Sequence, residues 1–84
     1  MYSIEYNNAA IKTLAAMPRD LRELVKTKIE ELAADPARAQ NVKKLVGQPG
    51  YRLRVGGWRV IYELDSGRLL VRVLEIGPRG GVYK

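Results

Sequence analysis

Two residue types that often carry enzyme chemistry, cysteine and histidine, are missing from this chain. Without cysteine there is no disulfide, no thiolate metal site and no cysteine nucleophile. Without histidine the chain lacks the usual base at neutral pH and the commonest zinc ligand. We therefore expect neither a metal nor a cofactor in the site that the protein carries.

Long apolar runs are missing as well. No stretch approaches the roughly 18 residues of a membrane-spanning helix, and the N-terminus lacks the apolar core of a signal peptide. These absences predict a cytoplasmic protein that makes no membrane contact. With 84 residues, of which 46% are apolar, the chain is expected to fold as a single domain over residues 1–84.

The formal charge is +6, and it is distributed unevenly. Residues 1–50 carry eight Lys or Arg against six Asp or Glu, whereas residues 51–84 carry seven against three. Six of the seven C-terminal cations are arginine. A basic surface of this kind favours nucleic acid as a partner, although an acidic protein also fits.

The clearest local pattern is a pair of alternating segments around Gly56-Gly57. Residues 51–55 read Tyr-Arg-Leu-Arg-Val, and residues 58–62 read Trp-Arg-Val-Ile-Tyr. A two-residue Gly-Gly loop between such segments is typical of a β-hairpin, because both turn positions accept a positive φ. One face of the hairpin is expected to be apolar and to join the core, through Tyr51, Leu53, Val55, Trp58, Val60 and Tyr62.

Three arginines fall on the other face of this hairpin. The two-residue loop places Arg54 directly opposite Arg59, and alternation adds Arg52 to the same face. Like charges that face each other across a sheet destabilise it. We therefore expect the cluster to hold an anion, and phosphate is the first candidate.

The N-terminal half predicts one strand and two helices. Residues 2–6 alternate as in a strand, and Asn7 is the expected N-cap of a helix over residues 8–16. Pro18 is expected at the first position of a second helix, which Asp35-Pro36 ends. The expected core faces contain Ile11, Leu14 and Ala15 in the first helix and Leu21, Leu24, Val25, Ile29 and Leu32 in the second.

After the hairpin the sequence predicts a third strand of the same sheet. A turn at residues 65–68 leads into this strand over residues 69–76, which Gly77-Pro78 ends. A loop of two or four residues places Arg72 opposite Ile61 on the arginine face, whereas a three-residue loop turns it to the other face. We expect Arg72 to be structural or peripheral.

The predicted fold is therefore α+β, with the order β-α-α-β-β-β. A helical hairpin packs on one face of a small, mostly antiparallel sheet, and the arginines line the opposite, open face. Residues 34–50 connect the helices to the β-hairpin. This connection is long for a passive loop in so small a domain.

Several segments together resemble the RelE/ParE toxin superfamily. They are Lys44-Leu45-Val46-Gly47, the hairpin of residues 51–62, and the C-terminal segment of residues 79–83. The resemblance spans essentially the whole chain and implies a RelE-like fold and the toxin of a type II toxin–antitoxin pair. Toxins of the RelE branch cleave messenger RNA in the ribosomal A site, whereas those of the ParE branch inhibit DNA gyrase and cut no RNA.

The resemblance also implies site residues. Two basic positions on the strand before the hairpin turn fall on Arg52 and Arg54, and a basic position on the next strand falls on Arg59. An arginine after the last strand falls on Arg79, and a C-terminal tyrosine falls on Tyr83. All five positions are filled, which favours RelE-like over ParE-like activity, although arginine stands at the first two positions where lysine is common.

Arginine suits one part of the chemistry that this resemblance implies. RNA is cut without a metal when its own 2′-OH attacks the adjacent phosphate, leaving a cyclic phosphate and a free 5′-OH. A guanidinium binds two phosphate oxygens and stays charged, but it is a poor base because it is not deprotonated in proteins. Arg52 and Arg54 are thus expected to bind phosphate, and Arg59 and Arg79 to act in catalysis.

Three further residues complete the candidate site. Tyr83 is an uncharged candidate that can act as base, position the 2′-OH or stack on a displaced nucleotide base. Lys43 and Lys44 are candidates for contacts with RNA, although surface lysines often bind nothing specific.

The arginines of the hairpin also have a structural interpretation. Arg52 and Arg54 are acceptable as ordinary solvated strand residues, and Arg59 can pair with Glu63 or Glu75. The sequence leaves both interpretations open.

The leading functional prediction is a ribosome-dependent endoribonuclease whose partners are the ribosome, messenger RNA and a cognate antitoxin. The alternative is a ParE-like inhibitor of DNA gyrase without nuclease activity. A third possibility is an RNA-binding module that binds without cutting. The arginine and tyrosine set separates the first two, because a gyrase inhibitor does not need it.

Overall fold

The computed structural model describes residues 1–78 of the chain and shows two helices packed on a five-stranded sheet. The predicted order β-α-α-β-β-β is confirmed, and the structure adds one short strand within residues 34–50. The elements in chain order are β1 (Ser3–Tyr6), α1 (Asn8–Ala16), α2 (Arg19–Ala34), a 3-10 helix (Pro36–Arg38), β2 (Val42–Lys44), β3 (Tyr51–Val55), β4 (Trp58–Asp65) and β5 (Leu70–Pro78).

The sheet is mixed, with the strand order β1-β5-β4-β3-β2. The first strand pairs with the last strand in parallel, while β5, β4, β3 and β2 pair with their neighbours in antiparallel fashion. The helices cover one face of this sheet. The other face, called the open face below, carries the arginines of the hairpin.

The hairpin has the predicted register. Val55 lies opposite Trp58, and Arg54 lies opposite Arg59. Gly56 has a φ of +57°, whereas Gly57 is not in the positive-φ region. A positive φ at the first turn residue alone is the pattern of a type II′ turn, whose twist suits the flanking strands.

The apolar face of the hairpin joins the core as predicted. Tyr51 and Trp58 are half-buried against that core. The buried core residues contributed by the sheet are Leu53, Val55, Val60, Tyr62, Val71, Val73 and Ile76.

The predicted helices are present, and their ends follow the expected caps. The Asn7 side chain accepts a hydrogen bond from the Ala10 N–H over 3.0 Å at the start of α1. Pro18 lies at the N-cap of α2, one position earlier in the helix than predicted, and Asp35 caps its C-terminus.

The predicted core face of α1 is wrong at two of its three residues, and only Leu14 is buried as predicted. Ile11 is 51% exposed and Ala15 is exposed, whereas Ala10, Leu14 and Met17 are buried. Apolar residues occur around most of this nine-residue helix, so their spacing does not fix which side packs on the sheet.

The core face of α2 also departs from the prediction at one position. Leu24 is 46% exposed. The packed stripe instead runs through Val25, Ile29, Leu32 and Ala33, with Leu21 partly buried.

The register of β5 differs from the prediction. The loop between Asp65 and its partner Leu70 is residues 66–69, one residue later than the predicted turn at 65–68, so Arg72 lies opposite Glu63 and not opposite Ile61. A shift of two residues keeps Arg72 on the open face, because side chains alternate with a period of two. A bulge between Ile61 and Tyr62 then brings Ile61 opposite Glu75.

Gly77 and Pro78 continue β5 and do not end it. Gly77 lies opposite Arg59, and Pro78 lies opposite Trp58. Proline is tolerated here because β1 pairs only with residues 70–73, which leaves this end of β5 without a neighbour on its other side within residues 1–78.

Candidate nucleic-acid interface

The accessible cations of the open face lie on β2 and β3. Lys43 lies opposite Arg52, and Arg54 follows two residues later on the same face. Lys43 and Arg54 are exposed, and Arg52 is half-buried. Among residues 1–78, none of the three has a carboxylate within 4.0 Å. These cations are therefore available to an external anion.

Lys44 does not share this surface. It lies opposite Tyr51 in the pairing of β2 with β3. Alternation places it on the helix side of the sheet, where it is exposed. The structure thus separates the two adjacent lysines that the sequence grouped together.

Arg59 lies in a different environment from Arg54, its partner across the hairpin. Arg59 is only 6% exposed, and its Nη2 lies 3.6 Å from Oε2 of Glu75. Gly77 lies opposite Arg59, and a Cβ there would lie 3.8 Å from the same Nη2. The guanidinium therefore lies over Gly77 and beside Glu75. Of the two carboxylates considered from the sequence, this contact involves Glu75.

Arg72 is neutralised by two carboxylates. Its Nε lies 3.1 Å from Oε1 of Glu5 on β1, and its Nη1 lies 3.8 Å from Oε1 of Glu63 on β4. This arrangement agrees with the expected structural role. Consequently the β1 side of the open face is charge-paired, whereas the β2 side carries the accessible cations.

An open cavity of about 300 Å³ lies among those cations and is called the cationic cavity below. Its lining consists of Asn41, Val42, Lys43, Arg52 and Arg54. Asn41 was missed by the sequence reasoning, because it stands in what was interpreted as a connection. A single asparagine before a three-residue strand gives no recognisable signal.

The tyrosines of the hairpin are unsuited to proton transfer at this surface. Tyr51 and Tyr62 stack on the core side, with ring centroids 5.5 Å apart and planes at 21°. Burial raises the pKa of Tyr62 to about 12, and the neighbouring Tyr51 adds to the shift. Burial also raises the pKa of Tyr6, with a smaller contribution from Glu30. Both groups therefore stay protonated at neutral pH.

Two candidate residues from the sequence, Arg79 and Tyr83, lie outside the described residues. Within residues 1–78 there is no group of three or more side chains suited to hold a metal ion. Neither helix in this part of the chain has the length and apolar character needed to cross a membrane.

Comparison with known families gives a match over nearly the whole chain. A family model described as the ParE toxin of the type II toxin–antitoxin system parDE matches residues 4–83. Among curated proteins, the mRNA interferase toxin RelE of Escherichia coli K12 is 28% identical over 81 residues, which are 93% of this chain and 83% of the relative. The mRNA interferase RelE of Shigella flexneri gives the same values.

Solved structures show the same likeness. RelE in the intact RelBE toxin–antitoxin complex of E. coli has a TM-score of 0.77 at 28% identity, covering 93% of this chain and 96% of that chain. The archaeal RelE–RelB complex of Pyrococcus horikoshii OT3 gives 0.81 at 26% identity, with coverages of 96% and 98%. The isolated E. coli RelE toxin gives 0.79 at 27% identity, with coverages of 99% and 92%.

Proposed function

Because the chain belongs to the ParE toxin family of type II toxin–antitoxin systems, we propose that it is a toxin that cleaves messenger RNA in the ribosomal A site. Its relatives named mRNA interferase RelE favour this activity over gyrase inhibition. The observation that carries the proposal is the accessible cation group Lys43, Arg52 and Arg54, which has no carboxylate within 4.0 Å among residues 1–78.

In this proposal the accessible cations bind the RNA backbone. Arg52 and Arg54 offer planar guanidinium groups that pair with two phosphate oxygens at once. Lys43 adds a point charge beside Arg52. The position of Lys44 on the other side of β2 makes it the weaker candidate for this RNA path.

The cleavage step that we propose needs no metal. The RNA 2′-oxygen forms a bond to the adjacent phosphorus while the bond from phosphorus to the 5′-oxygen breaks. The 2′-OH loses its proton to a base, and the leaving 5′-oxygen takes a proton from water, because an arginine does not give up its proton in proteins. Tyr83 is the candidate base or positioning group, and Arg79 is the candidate that stabilises charge at the cleaved phosphate or near the leaving oxygen.

Arg59 would act at the cleaved phosphate from within the face. Its side chain is only 8% exposed, and Oε2 of Glu75 lies 3.6 Å from its Nη2. A guanidinium fixed in this way stabilises the charge that develops on the phosphate without having to reorganise during the reaction. Glu75 is thus a positioning residue for Arg59.

The partners proposed for this chain are the ribosome, messenger RNA and a cognate antitoxin, all in the cytoplasm. The similar E. coli and Pyrococcus toxins are seen in complexes with RelB. An acidic or amphipathic segment of the antitoxin would cover the cations of the open face or dock on the helices.

Cell-free translation with the purified chain tests the proposal. Messenger 5′-ends are mapped against ribosome position for the full chain, Arg79→Ala, Tyr83→Phe, Lys43→Ala and Lys44→Ala. We expect cuts inside the A-site codon, their loss in Arg79→Ala and Tyr83→Phe, and weaker cutting in Lys43→Ala than in Lys44→Ala. The two lysine variants carry the same charge change on opposite sides of one strand.

Intact messenger with the full chain would contradict the nuclease proposal. A gyrase supercoiling assay would then test the ParE-like alternative, which the description of the matching family itself names. Inhibition of supercoiling that survives both Arg79→Ala and Tyr83→Phe would establish that alternative.

A further inference from the structure

One row of residues crosses the open face beside the hairpin turn. Arg54 lies opposite Arg59, and Arg59 lies opposite Gly77. On the other side of Arg54, its N–H donates to the carbonyl of Asn41 over 2.9 Å. Asn41 therefore continues the row beyond the two arginines. Because neighbouring strands lie about 4.8 Å apart, the Asn41 backbone lies about 10 Å from that of Arg59.

Asn41 is held in a defined backbone conformation at the end of this row. Its φ is +63°, in the left-handed region that asparagine tolerates better than most residues with a side chain. The hydrogen bond to Arg54 fixes one side of the residue, and β2 begins at the next residue, Val42. The backbone of Asn41 is therefore tied to β3 immediately before β2 begins.

The cationic cavity offers a ligand two kinds of contact, positive charge and amide hydrogen bonds. Lys43, Arg52 and Arg54 supply three positive groups, and none of the five lining residues is acidic. Of these five side chains, only the Asn41 amide offers both a donor and an acceptor. The cations suit a phosphate of any nucleotide, whereas the amide suits the edge of a particular base.

We propose that the cationic cavity binds the nucleotide next to the cleaved bond, and that the Asn41 side chain reads the base of that nucleotide. Asn41 would thereby set a sequence preference of the enzyme. This inference rests on the nuclease function proposed above. An asparagine amide forms two hydrogen bonds with adenine, so the expected preference is for adenine.

The variant Asn41→Gly tests the side chain without disturbing the backbone. Glycine accepts the positive φ and removes the amide. Gln40→Ala is the matched control, because Gln40 is the neighbouring exposed amide and does not line this cavity. Both variants and the full chain are compared in cell-free translation of a messenger library with varied codons, and the cut ends are mapped.

The expected result is an adenine preference at one position of the cut site. We expect the full chain to favour adenine there by about tenfold, within the range of a two-bond amide–base contact. Asn41→Gly should lose this preference, and Gln40→Ala should keep it. Asn41→Asp replaces the amide donor with an acceptor, so it should move the preference towards cytosine, whose amino group donates.

Two outcomes of the codon mapping would overturn the inference. One is the same base preference in Asn41→Gly as in the full chain. Another is an equal fall in cutting at every codon, because Asn41 would then only support the surface.

A binding measurement separates failure of this inference from failure of the nuclease proposal. The full chain and Asn41→Gly are titrated into fluorescent 2′-deoxy hexamers of adenine or cytosine, which cannot be cut by 2′-OH attack. Intact messenger with tighter adenine binding, lost in Asn41→Gly, would reject the nuclease proposal and support the base contact. Equal affinity of the full chain for both hexamers would overturn the base contact.

Discussion

At the scale of single residues, Arg54 and Arg59 lie on the same face of the sheet but differ in how exposed their side chains are. The two lie opposite each other, and the same pattern predicted both. Arg54 is exposed, whereas Arg59 is buried beside Glu75. A pattern of residue types places a side chain on a face, but the depth of that side chain depends on neighbours such as Gly77 on the adjoining strand β5.

This difference predicts unequal effects on stability. Arg59→Ala should lower the free energy of unfolding by about 1–3 kcal/mol, because it removes a buried stem and a charged contact. Arg54→Ala should change the free energy by no more than about 0.5 kcal/mol, as an exposed substitution does. Urea unfolding of both variants and the full chain measures this. Equal losses would contradict the buried position of Arg59.

At the scale of elements, the hairpin was predictable and the segment before it was not. Gly56-Gly57 between two alternating segments specifies a turn and a register together. In contrast, β2 has only three residues and one apolar side chain, Val42, so no periodicity can develop along it. Its existence depends on pairing with β3, which the local sequence does not encode.

The candidate site likewise has one part that the sequence predicted, on the hairpin, and one part that it did not, on and beside β2. Register alone predicted that Arg52, Arg54 and Arg59 share a face. The separation of Lys43 from Lys44 and the inclusion of Asn41 require β2, and they became visible only with the folded sheet. The position of Arg72 opposite Glu63 depends on where the loop before β5 begins, at residue 66 and not at residue 65, which the local sequence does not specify.

The turn geometry predicts different effects at its two glycines. Gly56→Ala should lower the free energy of unfolding by about 1 kcal/mol, because alanine is strained at a φ of +57°. Gly57→Ala should be close to neutral, since an added Cβ there meets nothing within 4 Å and the φ is not positive. Thermal unfolding compares the two. A larger loss for Gly57→Ala would contradict this turn type.

At the scale of the whole molecule, the stability of the fold depends on pH through Tyr62, an ionisable side chain in the hydrophobic core. Tyr62 is 1% exposed, and its pKa is raised to about 12. In the unfolded chain the pKa of a tyrosine is about 10. The raised pKa therefore stabilises the fold fully below pH 10, and this stabilisation is lost as the pH rises towards 12.

Alkaline unfolding measures this effect. Between pH 9 and about 12 the full chain should lose about 2 kcal/mol of stability through Tyr62. Tyr62→Phe has no ionisable group there and should lose less over the same interval, although lysine titration affects both proteins alike. Denaturant unfolding at several pH values gives the comparison. Parallel losses in the two proteins would show that Tyr62 does not govern the alkaline limb.

The pairing of β1 with β5 has a consequence for folding during synthesis on the ribosome. Glu5 finds Arg72 across a separation of 67 residues. At about 5–20 residues per second, synthesis of that stretch takes about 3–13 s. Contacts so distant in sequence also form slowly. The sheet therefore cannot be completed until β5 has been synthesised, and until then the ribosome that makes this chain carries only an unfinished fold.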